Sequence, residues 1–171
     1  MRRILQLGVV LLCSSPLAAQ SSGWRLGIGF SDARYAGTST DTSTGNGGSF
    51  RPFRPTVLHV EVERGGDGVR LGVGLRYASA AVALDAGDAT IIARSGPLTL
   101  VELRPELSVP IVRFSSGRLR ADVGPVLDHW RWQAGGPRTR LGAEVGASLE
   151  AALGTHALAV IRAGLTLTSS V

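Results

Sequence analysis

Apolar and polar residues alternate with period two along most of the chain, the pattern of strands with one apolar face. Residues 24–35 place Leu26, Ile28 and Phe30 on one face and Arg25, Gly27 and Gly29 on the other. Residues 56–64 set Leu58, Val60 and Val62 against His59, Glu61 and Glu63. Residues 69–78 set Val69, Leu71, Val73, Leu75 and Tyr77 against Arg70, Gly72, Gly74 and Arg76. The alternation returns over 98–112, 118–132, 139–153 and 156–168. These segments predict seven strands in an all-β, antiparallel, up-and-down arrangement. The stretch 79–97 reads as an extension of its neighbours into a tall loop, with an extra strand as the alternative. Pro105, Pro110 and Pro125 interrupt strand patterns, where a missing N–H weakens the ladder.

The connections differ in length by side. Segments 65–68, 113–117 and 154–155 are short, 133–138 is of medium length, and 36–55 and 79–97 are long. Short turns at one end and long loops at the other are the asymmetry of a membrane barrel.

Alternation alone does not say which face is inside, and the polar face decides it. Gly27, Gly29, Gly72, Gly74, Gly124, Gly142, Gly146 and Gly164 are interleaved there with charge. Glycine weakens a solvated strand, whereas in a narrow lumen it makes room for a bulky arginine from across the barrel. The acids Glu61, Glu63, Glu102, Glu106, Asp122, Glu144 and Glu150 face Arg70, Arg76, Arg104, Arg118, Arg120 and Arg162. These opposite charges can pair inside a closed wall, as buried charge requires. Arg104, between Glu102 and Glu106, is expected to reach Arg120 and Asp122 on the next strand. The predicted form is a transmembrane β-barrel with a charge-filled lumen. The alternative is a soluble periplasmic β-sandwich or lipocalin-like binder with its apolar face inside.

Residues 1–19 have the layout of a signal peptide: Arg2 and Arg3, a short apolar run from Ile4 to Leu12, then small residues at Ala18-Ala19. Residues 20–171 are then the mature domain. Of the 18 basic groups, all arginine, 16 remain after removal, against 13 acidic ones. That charge is scattered, so nucleic acid is not an expected partner. The single Cys lies in the leader, at position 13, excluding disulfides and Cys-based metal sites. Leu12 before it is a poor match to a lipoprotein signal. No run of 18 apolar residues marks a membrane helix.

No catalytic, cofactor or metal constellation stands out. His129 adjoins Asp128, but neighbours on a strand point to opposite faces. His59, His129 and His156 fall on different strands, which disfavours zinc. The aromatics Trp24, Tyr77, Trp130 and Trp132 read as membrane-interface anchors. Trp130 and Trp132 keep that role only if a bulge turns them outward from the lumen parity. Loop 36–55, with Phe50, Arg51, Phe53 and Arg54, is the candidate contact surface for an extracellular partner.

The stretches LTLVELRPELSVPIVRFSSGRLRADVGPVL, TRLGAEVGASLEAALG and VIRAGLTLTSSV resemble the small bacterial outer-membrane β-barrels of the OmpA/OmpX-like kind. The resemblance implies eight antiparallel strands, no catalysis, and a place in a Gram-negative outer membrane. It also implies contact with outer-membrane lipids and with barrel-assembly machinery. The chain departs from it in having seven clear strands and in ending Thr-Ser-Ser-Val171 without a terminal aromatic. A missing last strand is the expected reason. A structural or surface-display and adhesion role follows from the resemblance, with a lipid-modifying barrel enzyme as a further alternative.

Overall fold

A computed structural model describes residues 2–13, 23–36, 39–40, 49–53, 55–86, 89–132, 136–153 and 157–168. Ten strands follow in chain order: β1 Arg2–Cys13, β2 Trp24–Ala36, β3 Ser39–Thr40, β4 Ser49–Phe53 and β5 Thr56–Gly65. Then come β6 Arg70–Ala86, β7 Ala89–Phe114, β8 Gly117–Trp132, β9 Gly136–Ala152 and β10 Ala157–Thr168. The sheet order is β3-β4-β6-β5-β2-β1-β10-β9-β8-β7, and β6 also pairs with β7. Eight of the strands therefore pair in a closed antiparallel circuit. The short pair β3–β4 extends one end by pairing along Asp85 to Ala81 of β6.

The seven strands expected from alternation are present as β2 and β5 to β10. The stretch 79–97 lengthens β6 and β7 into a tall hairpin, with a register shift between Ala80 and Val82. The eighth place in the circuit is taken by β1, inside the segment read as a leader. The prolines act as their chemistry requires. Between Leu103↔Leu127 and Leu107↔Val123 no β7–β8 partners pair, and Pro105 and Pro125 sit in that gap. A second shift falls between Pro110 and Val112.

The parity of the strands sets burial. Along β5 exposed and buried residues alternate without a break up to Gly65. The exposed side carries the large apolar residues, including Ile28, Phe30, Leu71, Val73, Leu75, Leu141 and Ile161. The buried side carries the charges. The all-β, antiparallel, up-and-down arrangement expected from the pattern is what the strands form, with the charged face inside.

Glycine serves two different purposes on the inner face. A Cβ on Gly74 would lie 3.6 Å from Arg104 Nε, and one on Gly164 would lie 2.9 Å from Glu144 Oε1. Gly164 thus makes room for a charged side chain, as expected, whereas at Gly74 a Cβ would meet Arg104 only at ordinary contact distance. At Gly124 and Gly142 the obstacle is instead the neighbouring backbone, Pro105 O and Leu167 O. There the strands coil so closely that any side chain collides with main chain that cannot swing aside. Gly124→Ala is expected to cost roughly 1–3 kcal/mol, as overpacking does. Gly66→Ala, in open space, should change stability by less than about 0.5 kcal/mol. Urea titrations of the refolded variants in detergent check the contrast.

Candidate functional site

The charged interior is the one concentration of chemistry among the described residues. The thirteen residues expected to form it all lie on the inner face. Glu61, Glu63, Arg70, Arg76, Glu102, Arg104, Glu106, Arg120, Asp122, Glu144, Glu150 and Arg162 are buried, and Arg118 is half-buried. Three more residues share that face: Asp128 and Arg140, both buried, and Arg25, half-buried. Strand parity carried the signal for these. Asp128 has the parity of Glu102 across the ladder, and Arg140 pairs in register with Asp128. With them, eight carboxylates meet eight guanidinium groups among the described residues. Formal charge inside the wall is thereby cancelled.

Some pairs cross the barrel, and others, such as Arg76–Glu102 and Arg118–Glu150, join neighbouring strands in register. Arg162 on β10 donates to Glu61 on β5 at 2.8 Å and to Glu106 on β7 at 3.2 Å, with Asp122 at 3.5 Å. β5 and β10 are separated in the circuit by β2 and β1. Arg76 on β6 donates to Glu144 on β9 at 2.8 and 3.0 Å, and to Glu102 at 2.7 Å. Thr166 adds a hydroxyl donor to Glu144 at 3.1 Å. Arg70 reaches Glu150 across the barrel at 2.5 and 3.2 Å, and Glu63 at 3.4 Å. The bidentate pairs use the arginine fork in the way that a lysine could not.

Arg104 keeps its expected neighbour Glu106 but departs from the partners expected on the next strand. It bonds Glu106 at 2.8 Å, lies 3.7 Å from Glu61, and makes a very short contact with Glu144. Glu102 goes instead to Arg76, while Asp122 accepts from Ser108 at 2.6 Å. Arg120 is held by Ser108 Oγ at 2.8 Å and by Gly68 O at 2.8 Å. The expectation assumed that neighbouring strands share neighbouring charges. The stagger of the strands and the length of the arginine arm carry Arg104 across the lumen instead.

Both ends of the interior are closed by other means. At the short-turn end the backbone of the 66–69 turn accepts from Arg70 at 3.0 Å, Arg120 at 2.8 Å and Arg113 at 2.8 Å. Asp67 in that turn pairs with Arg118 at 2.5 Å, and this partner holds its carboxyl below the usual aspartate range. Its contribution is present above the ordinary aspartate pKa and is lost as pH falls through the lowered one. Toward the long-loop end, Ala33, Val57, Ala78, Leu100 and Trp130 form a buried apolar cluster. Val57, Ala78, Leu100 and Trp130 are successive cross-strand neighbours.

Trp130 is therefore a correction: it is 9% exposed and packs inside, so it is no interface anchor. Its lumen parity is obeyed and no bulge rescues it. Trp24 and Tyr77 do stand outside, and Arg64 lies 5.4 Å over the Trp24 ring. The Trp132 side chain, His156 and most of loop 36–55 lie outside the described residues. His59 is buried, and His129 is exposed with Nδ1 3.0 Å from Thr139 Oγ1. No group of three or more His, Cys, Asp or Glu among the described residues could hold a metal ion.

No protein-family model matches the sequence, and no curated protein matches it.

Removing one partner of a buried, multiply bonded charge is expensive, about 3–5 kcal/mol. Arg104→Leu takes one guanidinium from Glu61, Glu106 and Glu144 but leaves the first two with Arg162 and the third with Arg76, so it is expected to cost about 3 kcal/mol, the low end of that range. Asp67→Asn removes an exposed pair and should cost less than about 1 kcal/mol. Denaturation midpoints of both variants, measured in one detergent, check the difference.

Proposed function

We propose that this chain is an exported, non-enzymatic β-barrel of the bacterial outer membrane, with a structural or surface-display role. The observation that carries the reading is the inversion of the usual protein surface. Large apolar side chains stand outside along β2 and β5 to β10 while the charges are inside. Such a continuous apolar exterior in water would be an aggregation hazard, and in a bilayer it is the solvent-facing surface. The dimensions agree. From Val101 to Ile111 the outer residues of β7 span roughly 33 Å along the strand, or about 25 Å at a tilt of about 40°. An outer-membrane apolar band is about 25 Å tall.

Outer-membrane lipids are then the principal partner, with barrel-assembly machinery during insertion. Residues 1–19 supply the export signal. The long loops would face outside the cell, and loop 36–55 is the surface for any extracellular partner. A wall of eight strands is just wide enough for side chains to fill it. Here the cross-lumen pairs and the Trp130 cluster do fill it. No general diffusion pore follows. A lipocalin-like role would need an apolar cavity where the ion pairs sit. A lipid-modifying enzyme built on His129 would need an acid beside it, yet Asp128 is buried on the inner face.

The protein extracted from membranes should run faster on gels unheated than boiled, and should partition with detergent. In planar bilayers it should show no steady, large conductance. Partition into the aqueous phase without detergent would remove the membrane reading, and a steady large conductance would remove the filled lumen.

A further inference from the structure

We propose that Arg2–Cys13 has a second role beyond export: in the uncleaved chain it is the strand that closes the barrel wall, covering the edges of β2 and β10. The proposal rests on the barrel reading above and goes beyond it.

The segment pairs without interruption from Arg2↔Thr168 to Cys13↔Ala157 on one side, and from Arg3↔Ala36 to Cys13↔Leu26 on the other. Both ladders are antiparallel. β2 and β10 therefore run in the same direction. Without β1 they cannot pair antiparallel with each other. Two such sheets inserted in the same orientation would meet the same mismatch, so a second copy of the chain does not mend the wall. One more strand makes every pairing antiparallel, and Arg2–Cys13 is the strand the structure supplies.

Two physical consequences favour filling this place early. Uncovered, β2 and β10 would each present a row of unpaired backbone groups, the usual template for edge-to-edge aggregation. Arg162 on β10 also donates to Glu61 on β5, and β1 and β2 are the wall between them. A gap there opens one side of the ion network to water. The segment is suited to both tasks. Its apolar run, which export requires, includes the β-branched Ile4, Val9 and Val10. Gln6 and Gly8 fall in register with Gly164 and Arg162.

The chain itself offers a direct test. Cys13 is its only cysteine, in register with Leu26 and with Ala157. The full-length chain is made without export, so that residues 1–19 stay, and is refolded in detergent micelles. Leu26→Cys and Ala157→Cys are introduced separately and oxidised with copper-phenanthroline. Phe30→Cys, in register with Val9 and so roughly 13 Å along the strand from Cys13, is the control. Peptide mapping should find an intramolecular Cys13 disulfide in Leu26→Cys and in Ala157→Cys, but not in Phe30→Cys or in urea. Absence of the disulfide from both test variants overturns the proposal. Heat-modifiable mobility of the same samples shows whether the barrel reading falls with it.

Discussion

Charge buried out of water has to be matched, and that requirement organises this molecule. A lone guanidinium or carboxylate inside a narrow lumen would cost several kcal/mol. Among the described residues, eight of each sign on the inner face offset one another. Local geometry then provides the hydrogen bonds, as in the two-point grip of Arg76 on Glu144. The pairs that span the lumen, such as Arg162–Glu61 and Arg70–Glu150, also hold opposite walls at a fixed separation. The network is thus both the filling of the barrel and a set of struts across it.

The rest of the fold accommodates these struts. The charged side chains need space, and Gly164 supplies it beside Glu144. Tight coiling of the wall brings backbones together, and Gly124 and Gly142 permit that approach. The two ends are sealed differently. Arginines draw the 66–69 turn onto one mouth, while Trp130 and its small neighbours close off the other with apolar contact. With the polar groups spent inside, what remains for the outer face is Leu, Val, Ile and Ala. The apolar exterior and ionic interior are thus one pattern.

Much of this was legible in the sequence because strand parity is strict. Alternation located β2 and β5 to β10, and the glycine-plus-charge face identified the inside. It did not reveal who pairs with whom. Parity assigns a face, but the stagger between strands decides which residues share a level, so Glu106 was legible as a neighbour of Arg104 while Glu61 and Glu144 were not. Asp128, Arg140 and Trp130 were on the correct parity. For Trp130 the neighbouring Trp132 suggests an interface belt instead, and that reading yields to parity. β1 was illegible for a different reason. Val9, Val10, Leu11 and Leu12 are consecutive apolar residues, as a leader needs, so they lack the polar alternation of their neighbours. Only the free edges of β2 and β10 ask for a strand there.

The central claim is that the odd-numbered face of β6 looks outward into lipid while the even-numbered face looks into a dry, ion-paired lumen. A nitroxide scan of Leu71 to Tyr77 in lipid vesicles, with Cys13 replaced, tests it most directly. Collisions with oxygen and with a water-soluble nickel complex would be measured at each site. Oxygen accessibility should peak at Leu71, Val73, Leu75 and Tyr77 and fall at Gly72, Gly74 and Arg76, with the nickel complex excluded from the lipid-facing sites. Leu71, Val73 and Leu75 sheltered from both reagents, with the even positions open to the nickel complex, would contradict it.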